Sequence, residues 1–165
     1  MESDSSPAIR IAKLEDLEAI NKYWWDLITE QKNFDDRIVD TEINKHRSMN
    51  FLRERIVQGG MYVAENICSE IIGLGSITQD LHFLQSQINL WNIADIWVRP
   101  EYRRRGVASK IVMHLEKIAL KKGAEEVRLT VYSKNLSANN LYSSLGYSSK
   151  INTFSKSFTT DFKRD

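Results

Sequence analysis

The chain has 165 residues, about one domain's worth at ~150 residues per domain, and 42% of them are hydrophobic and 27% charged, the balance of a globular domain and not of a disordered one. Twenty-three Lys and Arg against 22 Asp and Glu leave a formal charge of +1, which excludes a strongly basic nucleic-acid wrapper or an acidic tail as the main theme. The single cysteine, Cys68, allows no intramolecular disulfide, residues 1–10 lack the basic-then-apolar layout of a signal peptide, and no apolar run approaches the ~20 residues that span a bilayer, so a cytoplasmic protein without a membrane partner is expected.

In chain order, Ile9 and Ile11 alternate with Arg10 and Ala12 as a short strand does. Leu17, Ile20, Trp24, Leu27 and Ile28 recur at three-to-four spacing and predict a helix with one apolar stripe. Residues 33–41 break that pattern with Asp35, Asp36 and Asp40; a second helix is predicted over 41–58, with Met49, Leu52 and Ile56 inward and Gly59-Gly60 as its stop. Residues 61–65 and 71–78 predict the two strands of a hairpin, while the polar stretch 79–87 carries no assignable pattern. Residues 90–98, rich in β-branched and aromatic side chains, predict a central strand.

Pro100 ends that strand, and Gly106 opens a long helix with Val107, Ile111, Leu115 and Ile118 on one face. Lys121, Lys122 and Gly123 suit its C-terminal end. Val127, Leu129 and Val131 predict another strand, 137–145 a short helix closed by Gly146, and 147–162 a final hairpin. The order β-α-α-β-β-β-α-β-α-β-β describes an α/β (α+β) fold: a mixed central sheet of about seven strands flanked by four helices. With no internal repeat and no linker, 1–165 reads as a single domain.

The segment that points to chemistry runs from Ile96 to Ser109. A strand ends, the chain turns through Arg103, Arg104 and Arg105, and a helix opens on the small residues Gly106, Ala108 and Ser109. The first turn of a helix has N–H groups with no carbonyl partner, and the helix dipole adds partial positive charge at the same spot. Small residues let an anion approach the main chain, so the stretch has the composition of a pyrophosphate cradle. Local physics leaves a solvated basic turn before an ordinary helix equally open. The Walker pattern and the three-glycine dinucleotide fingerprint are both absent.

Val98-x-Pro100-x-x-Arg103-x-x-Gly106-x-Ala108 resembles the acetyl-CoA motif of the GCN5-related N-acetyltransferase (GNAT) family. Downstream, Asn135-x-x-Ala138-x-x-Leu141-Tyr142-x-x-x-Gly146-Tyr147 is similar to that family's second signature, and the detailed likeness covers 93–147. The resemblance implies a single GNAT-like domain whose central strands splay to admit pantetheine. It implies that Ile96 and Val98 hold pantetheine through their main chain and that Arg103, Arg104, Arg105, Gly106, Val107, Ala108 and Ser109 hold the pyrophosphate. Asn135 would bond the pantetheine end, where a turn residue opening a helix is the plainer alternative.

For chemistry the resemblance implies acetyl transfer from acetyl-CoA to a primary amine, of a small molecule or of a peptide or protein, by direct attack and with no metal. Tyr142 is the candidate acid: a thiol titrates near ~8.5 and a tyrosine near ~10, so the hydroxyl stays protonated and can supply the leaving thiolate. An alkylammonium acceptor near ~10.4 must first lose a proton, yet the strand positions where family members often carry glutamate hold Ala94 and Thr130. Asp95 is the nearest carboxylate and the remaining catalytic candidate. Strict alternation puts it on the face opposite Ala94, Ile96 and Val98 and favours a structural acid. Glu65, His82 and water are further routes for the proton.

Residues 26–42 hold six acidic side chains against Lys32 and Arg37, whereas 99–128 hold nine basic against four acidic. That asymmetry suits an anionic cofactor at one end and a cationic amine at the other, with Trp25 the exposed aromatic and Trp24 the core one. His46, His82, His114 and Cys68 show no metal-ligand spacing, and stable nucleic-acid binding is not expected. A non-catalytic acetyl-CoA-binding sensor is the alternative function. The acceptor's identity and the choice between monomer and homodimer stay open.

Overall fold

In a computed structural model that describes residues 6–39, 41–80 and 88–156, the elements follow from local signals. The first strand, β1 (Ala8–Ile11), leads through a 3₁₀ turn at Leu14–Asp16 into α1 (Leu17–Gln31). The second helix, α2 (Glu42–Val57), starts where the Thr41 hydroxyl accepts from the Asn44 N–H at 3.2 Å, a side-chain cap on an otherwise orphan donor. Three strands follow, β2 (Met61–Glu65), β3 (Ile71–Asp80) and β4 (Leu90–Val98), then α3 (Val107–Lys121), β5 (Glu126–Leu129) and α4 (Leu136–Ser144).

The strands form one sheet in the order β1-β2-β3-β4-β5, antiparallel except for the parallel pair β4–β5. Each face is covered by helices. On one face, Leu17 and Ile20 of α1 and Leu52 and Ile56 of α2 bury against Val63, Leu74 and Trp97. On the other, Val107, Ile111, Val112, Leu115 and Ala119 of α3 bury against Ile72, Ile93 and Val98, with Tyr142, Leu145 and Tyr147 packed at the margin. The glycines of β3 make this close approach of α3 fit. A Cβ on Gly75 would lie 2.7 Å from Ile111 Cγ2 and 2.8 Å from Ile96 Cδ1, inside any carbon–carbon contact distance.

The sheet has five strands among the described residues, against the expected seven. The strand predicted to run through Val131 stops at Leu129, and 147–156 carry no regular structure. The apolar residues whose loose alternation suggested a hairpin have nothing to bury against: Ile151 and Phe154 are 76% and 93% exposed. Alternation specifies a strand only where one face meets a core. The rest of that expected hairpin, from residue 157 onward, and residues 81–87 with His82 lie outside the described residues.

Candidate active site at the open edge of the central strand

The site begins with an irregularity in β4. Leu74 faces Trp97 and Ser76 faces Ala94, so a two-residue step on β3 meets a three-residue step on β4. The extra residue is accommodated at Asp95, which takes φ +56°, a left-handed conformation that Asp and Asn tolerate better than most side chains. Strict alternation therefore fails here. Ser76 and Ala94 are cross-strand partners and share a face, and the Asp95 carboxylate bonds to Ser76, so Ala94 and Asp95 lie on the same side. Ile96 and Val98 pack on the α3 side.

The bulge coincides with the end of the β4–β5 ladder. Pairing runs from Leu90 with Glu126 to Ile93 with Leu129 and goes no further, although β4 continues to Val98. Thr130, the second expected acceptor-side position, is exposed and past the strand end. Among the described residues, 94–98 thus present an edge without a strand partner on the β5 side. The Arg99 N–H donates to Ile72 O at 2.9 Å, which makes Val98 and Gly73 a non-hydrogen-bonded pair and turns the N–H and C=O of Val98 toward that open edge. The carbonyl is taken: Arg103 Nε donates to Val98 O at 2.8 Å.

Past the 3₁₀ turn at Pro100–Tyr102, Arg104 takes φ +62° and Gly106 φ +77° before α3 begins. The first N–H to donate into α3 is that of Lys110, to Gly106 O at 3.1 Å. Among the described residues, the main-chain N–H groups of 104–109 find no acceptor. A Cβ built on Gly106 would meet nothing within 4 Å, so the space over the loop is open. Arg104 and Arg105 are exposed, Ala108 and Ser109 half-buried, and Val107 points into the core.

The side chain of Arg103 is engaged within the protein. Besides Val98 O it donates to Glu30 Oε1 at 2.5 Å, and Trp97 Nε1 donates to the same carboxylate oxygen at 3.2 Å. Tyr23 stacks on Trp97 with centroids 4.9 Å apart. Arg103 thus ties the end of α1 to the loop, a role sequence reading missed because the partners are 73 positions apart.

On α4, Asn135 is the helix cap: its Oδ1 accepts from the Ala138 N–H at 3.1 Å. Gly146 at φ +90° lets the chain reverse, and the Tyr147 N–H closes the helix by donating to Tyr142 O at 3.0 Å. The Tyr147 hydroxyl donates to Glu116 at 2.7 Å, which locks the segment onto α3. Tyr142 packs edge-on to Tyr147 with centroids 6.1 Å apart. Burial holds its hydroxyl above the usual tyrosine range, so it is protonated at neutral pH.

On the α1–α2 side three of the six acidic side chains expected there are paired. Glu30 is engaged as above, Asp35 grips Arg37 at 2.8 Å and Glu42 meets Lys45 at 3.1 Å. The hydrogen bonds to Arg37 lower the Asp35 carboxyl to about 2. Trp25 donates to Ser48 Oγ at 2.9 Å and Trp24 to Asp95 Oδ1 at 2.9 Å, and both indoles are half-buried. With Ile28, Val39 and Phe51 they line an apolar groove of about 510 Å³ between the two helices. Glu65 is held by Arg10 at 2.5 Å. Among the described residues, no group of three or more His, Cys, Asp or Glu could hold a metal ion, and no helix is long and apolar enough to cross a membrane.

Residues 17–147 match the acetyltransferase (GNAT) family, and the chain belongs to it. It is 44% identical over 54 residues to thialysine N-epsilon-acetyltransferase of Bos taurus, a stretch that spans 33% of this chain and 32% of that protein, about a third of the relative's length. The fold is shared with a putative acetyl transferase from Pyrococcus furiosus (TM-score 0.70, 24% identity, 93% of this chain and 100% of the other). It is shared too with a predicted acetyltransferase from Clostridium acetobutylicum solved with acetyl-CoA (TM-score 0.72, 12% identity, 92% and 96%).

Proposed function

We propose that the chain transfers an acetyl group from acetyl-CoA to a primary amine by direct attack of the amine on the thioester. The observation that carries this reading is the run of unpartnered N–H groups at 104–109, under open space and next to the open edge of β4. Such a run at a helix N-terminus is a site for an anion of pyrophosphate size. The edge of β4 fits an extended chain of amides, which would add to it as a strand does. The donor set therefore suits coenzyme A. Arg104, Arg105, Gly106, Ala108 and Ser109 hold the phosphates through their N–H groups, with Val107 anchoring the helix and the charges of Arg104 and Arg105 alongside. Ile96 and Val98 hold the pantetheine amides, Val98 by its N–H, and the free amide nitrogen of Asn135 reaches the same arm. The acetyl thioester supplies the activated carbonyl.

Tyr142 supplies the proton. As the amine nitrogen bonds to the carbonyl carbon and the carbon–sulfur bond breaks, the Tyr142 hydroxyl protonates the departing sulfur. The surplus proton of the amine passes to water, and Tyr142 regains its own from solvent. Water takes that role because Asp95 already accepts from Trp24 and Ser76, and Glu65 from Arg10. The bare Ala94 on the acceptor face favours the second reading, a module that binds acetyl-CoA without turnover.

One assay separates the two: thiol release from acetyl-CoA across a panel of amines. Given the name of the Bos taurus relative, thialysine and lysine head the panel, followed by polyamines, aminoglycosides and peptides. Acetyl transfer predicts release that saturates with at least one amine. Coenzyme binding without release from any of them would leave the sensor.

A further inference from the structure

We infer that Trp24, Asp95 and Ser76 form a clamp that holds β4 in its bulged course and so keeps the cofactor gap open before any cofactor arrives. The inference rests on the acetyl-transfer reading of that gap. Asp95 is the one strand residue of β4 in the left-handed region, at φ +56°. Its two carboxylate oxygens are used separately. Oδ1 accepts from the Trp24 indole N–H at 2.9 Å, and Oδ2 accepts from the Ser76 hydroxyl at 2.5 Å. Ser76 is completely buried in β3, so that anchor is fixed, while Trp24 comes from α1 on the layer above the sheet. The bulge is thus pinned from the neighbouring strand and from the covering helix.

The pinning acts on the right place. Bulges bend a strand and increase its local twist, and the β4–β5 ladder ends at Ile93 and Leu129, directly before Ala94 and Asp95. Released from the clamp, β4 loses what keeps Asp95 out of regular extended geometry, and residues 94–98 are free to straighten toward β5 and narrow the opening. Asp95 is accordingly a positioning residue, acting through the backbone of β4 and not on the amine. Trp24 also lines the apolar groove between α1 and α2, so the same indole touches the acceptor-side layer and the strand that borders the cofactor.

The test measures coenzyme A affinity by calorimetry, amide exchange over 94–98, and the pH profile of kcat, for the unaltered chain and three variants. Trp24→Phe keeps a six-membered aromatic ring and removes the N–H with the rest of the pyrrole. Asp95→Ala removes both bonds and disfavours φ above zero. Asp95→Asn keeps an oxygen for Trp24, offers Ser76 an N–H and tolerates the left-handed conformation. Trp24→Phe and Asp95→Ala are expected to weaken coenzyme binding about tenfold and to speed exchange at 94–98. Asp95→Asn is expected to restore affinity to within about threefold with the pH profile unmoved. Unchanged affinity and exchange in Trp24→Phe would overturn the clamp. A large fall in kcat in Asp95→Asn with loss of an ionisation from the profile would overturn the positioning role in favour of a base. If the unaltered chain binds no coenzyme A, the acetyl-transfer reading fails and the clamp's purpose with it.

Discussion

Gly106→Glu is expected to weaken acetyl-CoA binding by at least ~10²-fold while leaving the fold in place. Two effects add. A side chain at φ +77° costs roughly 1–2 kcal/mol for a non-glycine residue, which disturbs the loop geometry that aims the N–H groups. The new carboxylate then stands where the proposed site takes the phosphates, and two like charges ~4 Å apart repel by about 4 kcal/mol at an effective dielectric of ~20. Steric damage is small, since a Cβ there meets nothing within 4 Å. Calorimetric titration with coenzyme A reads the loss, and far-UV circular dichroism checks the fold. Gly106→Ala isolates the backbone effect and is expected to cost at most about thirtyfold in affinity. Equal losses in the two variants would show that charge plays no part and that the loop is not an anion cradle.

The second large effect is on turnover. Tyr142→Phe keeps the ring packed against Tyr147 and removes only the proton donor, and general acid catalysis of this kind contributes ~10²–10⁴-fold. A fall in kcat of ~10²-fold or more with little change in KM for acetyl-CoA is expected. The pH dependence follows from the direction of the shift. Burial raises the pKa of Tyr142, so the hydroxyl remains protonated from neutral pH to beyond the usual tyrosine value near ~10. The rate therefore rises with pH as the amine sheds its proton, with no descending limb from Tyr142 in the neutral range. Tyr142→Phe keeps the rising limb at a lower plateau. Full activity in this variant would remove the acid assignment.

What the sequence made legible was local. The strand–turn–helix from Ile96 to Ser109 could be located because Pro100, Gly106 and the apolar face of α3 act within a few residues of one another, and Asn135 and Gly146 bracket α4 for the same reason. What stayed hidden depends on partners distant in the chain. The bulge at Asp95 needs Ser76 and Trp24 to specify it, and period-two alternation has no means of registering an inserted residue; a lone hydroxyl in the apolar run 71–77 was the available hint. The Glu30–Arg103 contact gives a motif arginine a second partner, on α1, that its own neighbourhood in the chain does not reveal. In the acidic stretch 26–42, Glu30, Asp35 and Glu42 have cationic partners, two of them outside the stretch, which a count of charges within it does not register. Past Tyr147, the tail 148–156 is exposed and has no core to face, which is why its pattern produced no strand.

A crystal structure of the chain with bound coenzyme A tests the central claim most directly. The account predicts pyrophosphate oxygens ~2.7–3.2 Å from main-chain nitrogens within 104–109, and the pantetheine arm lying along 96–98 with the Val98 N–H donating to it. Phosphates seated elsewhere, with those N–H groups facing only solvent, would contradict it.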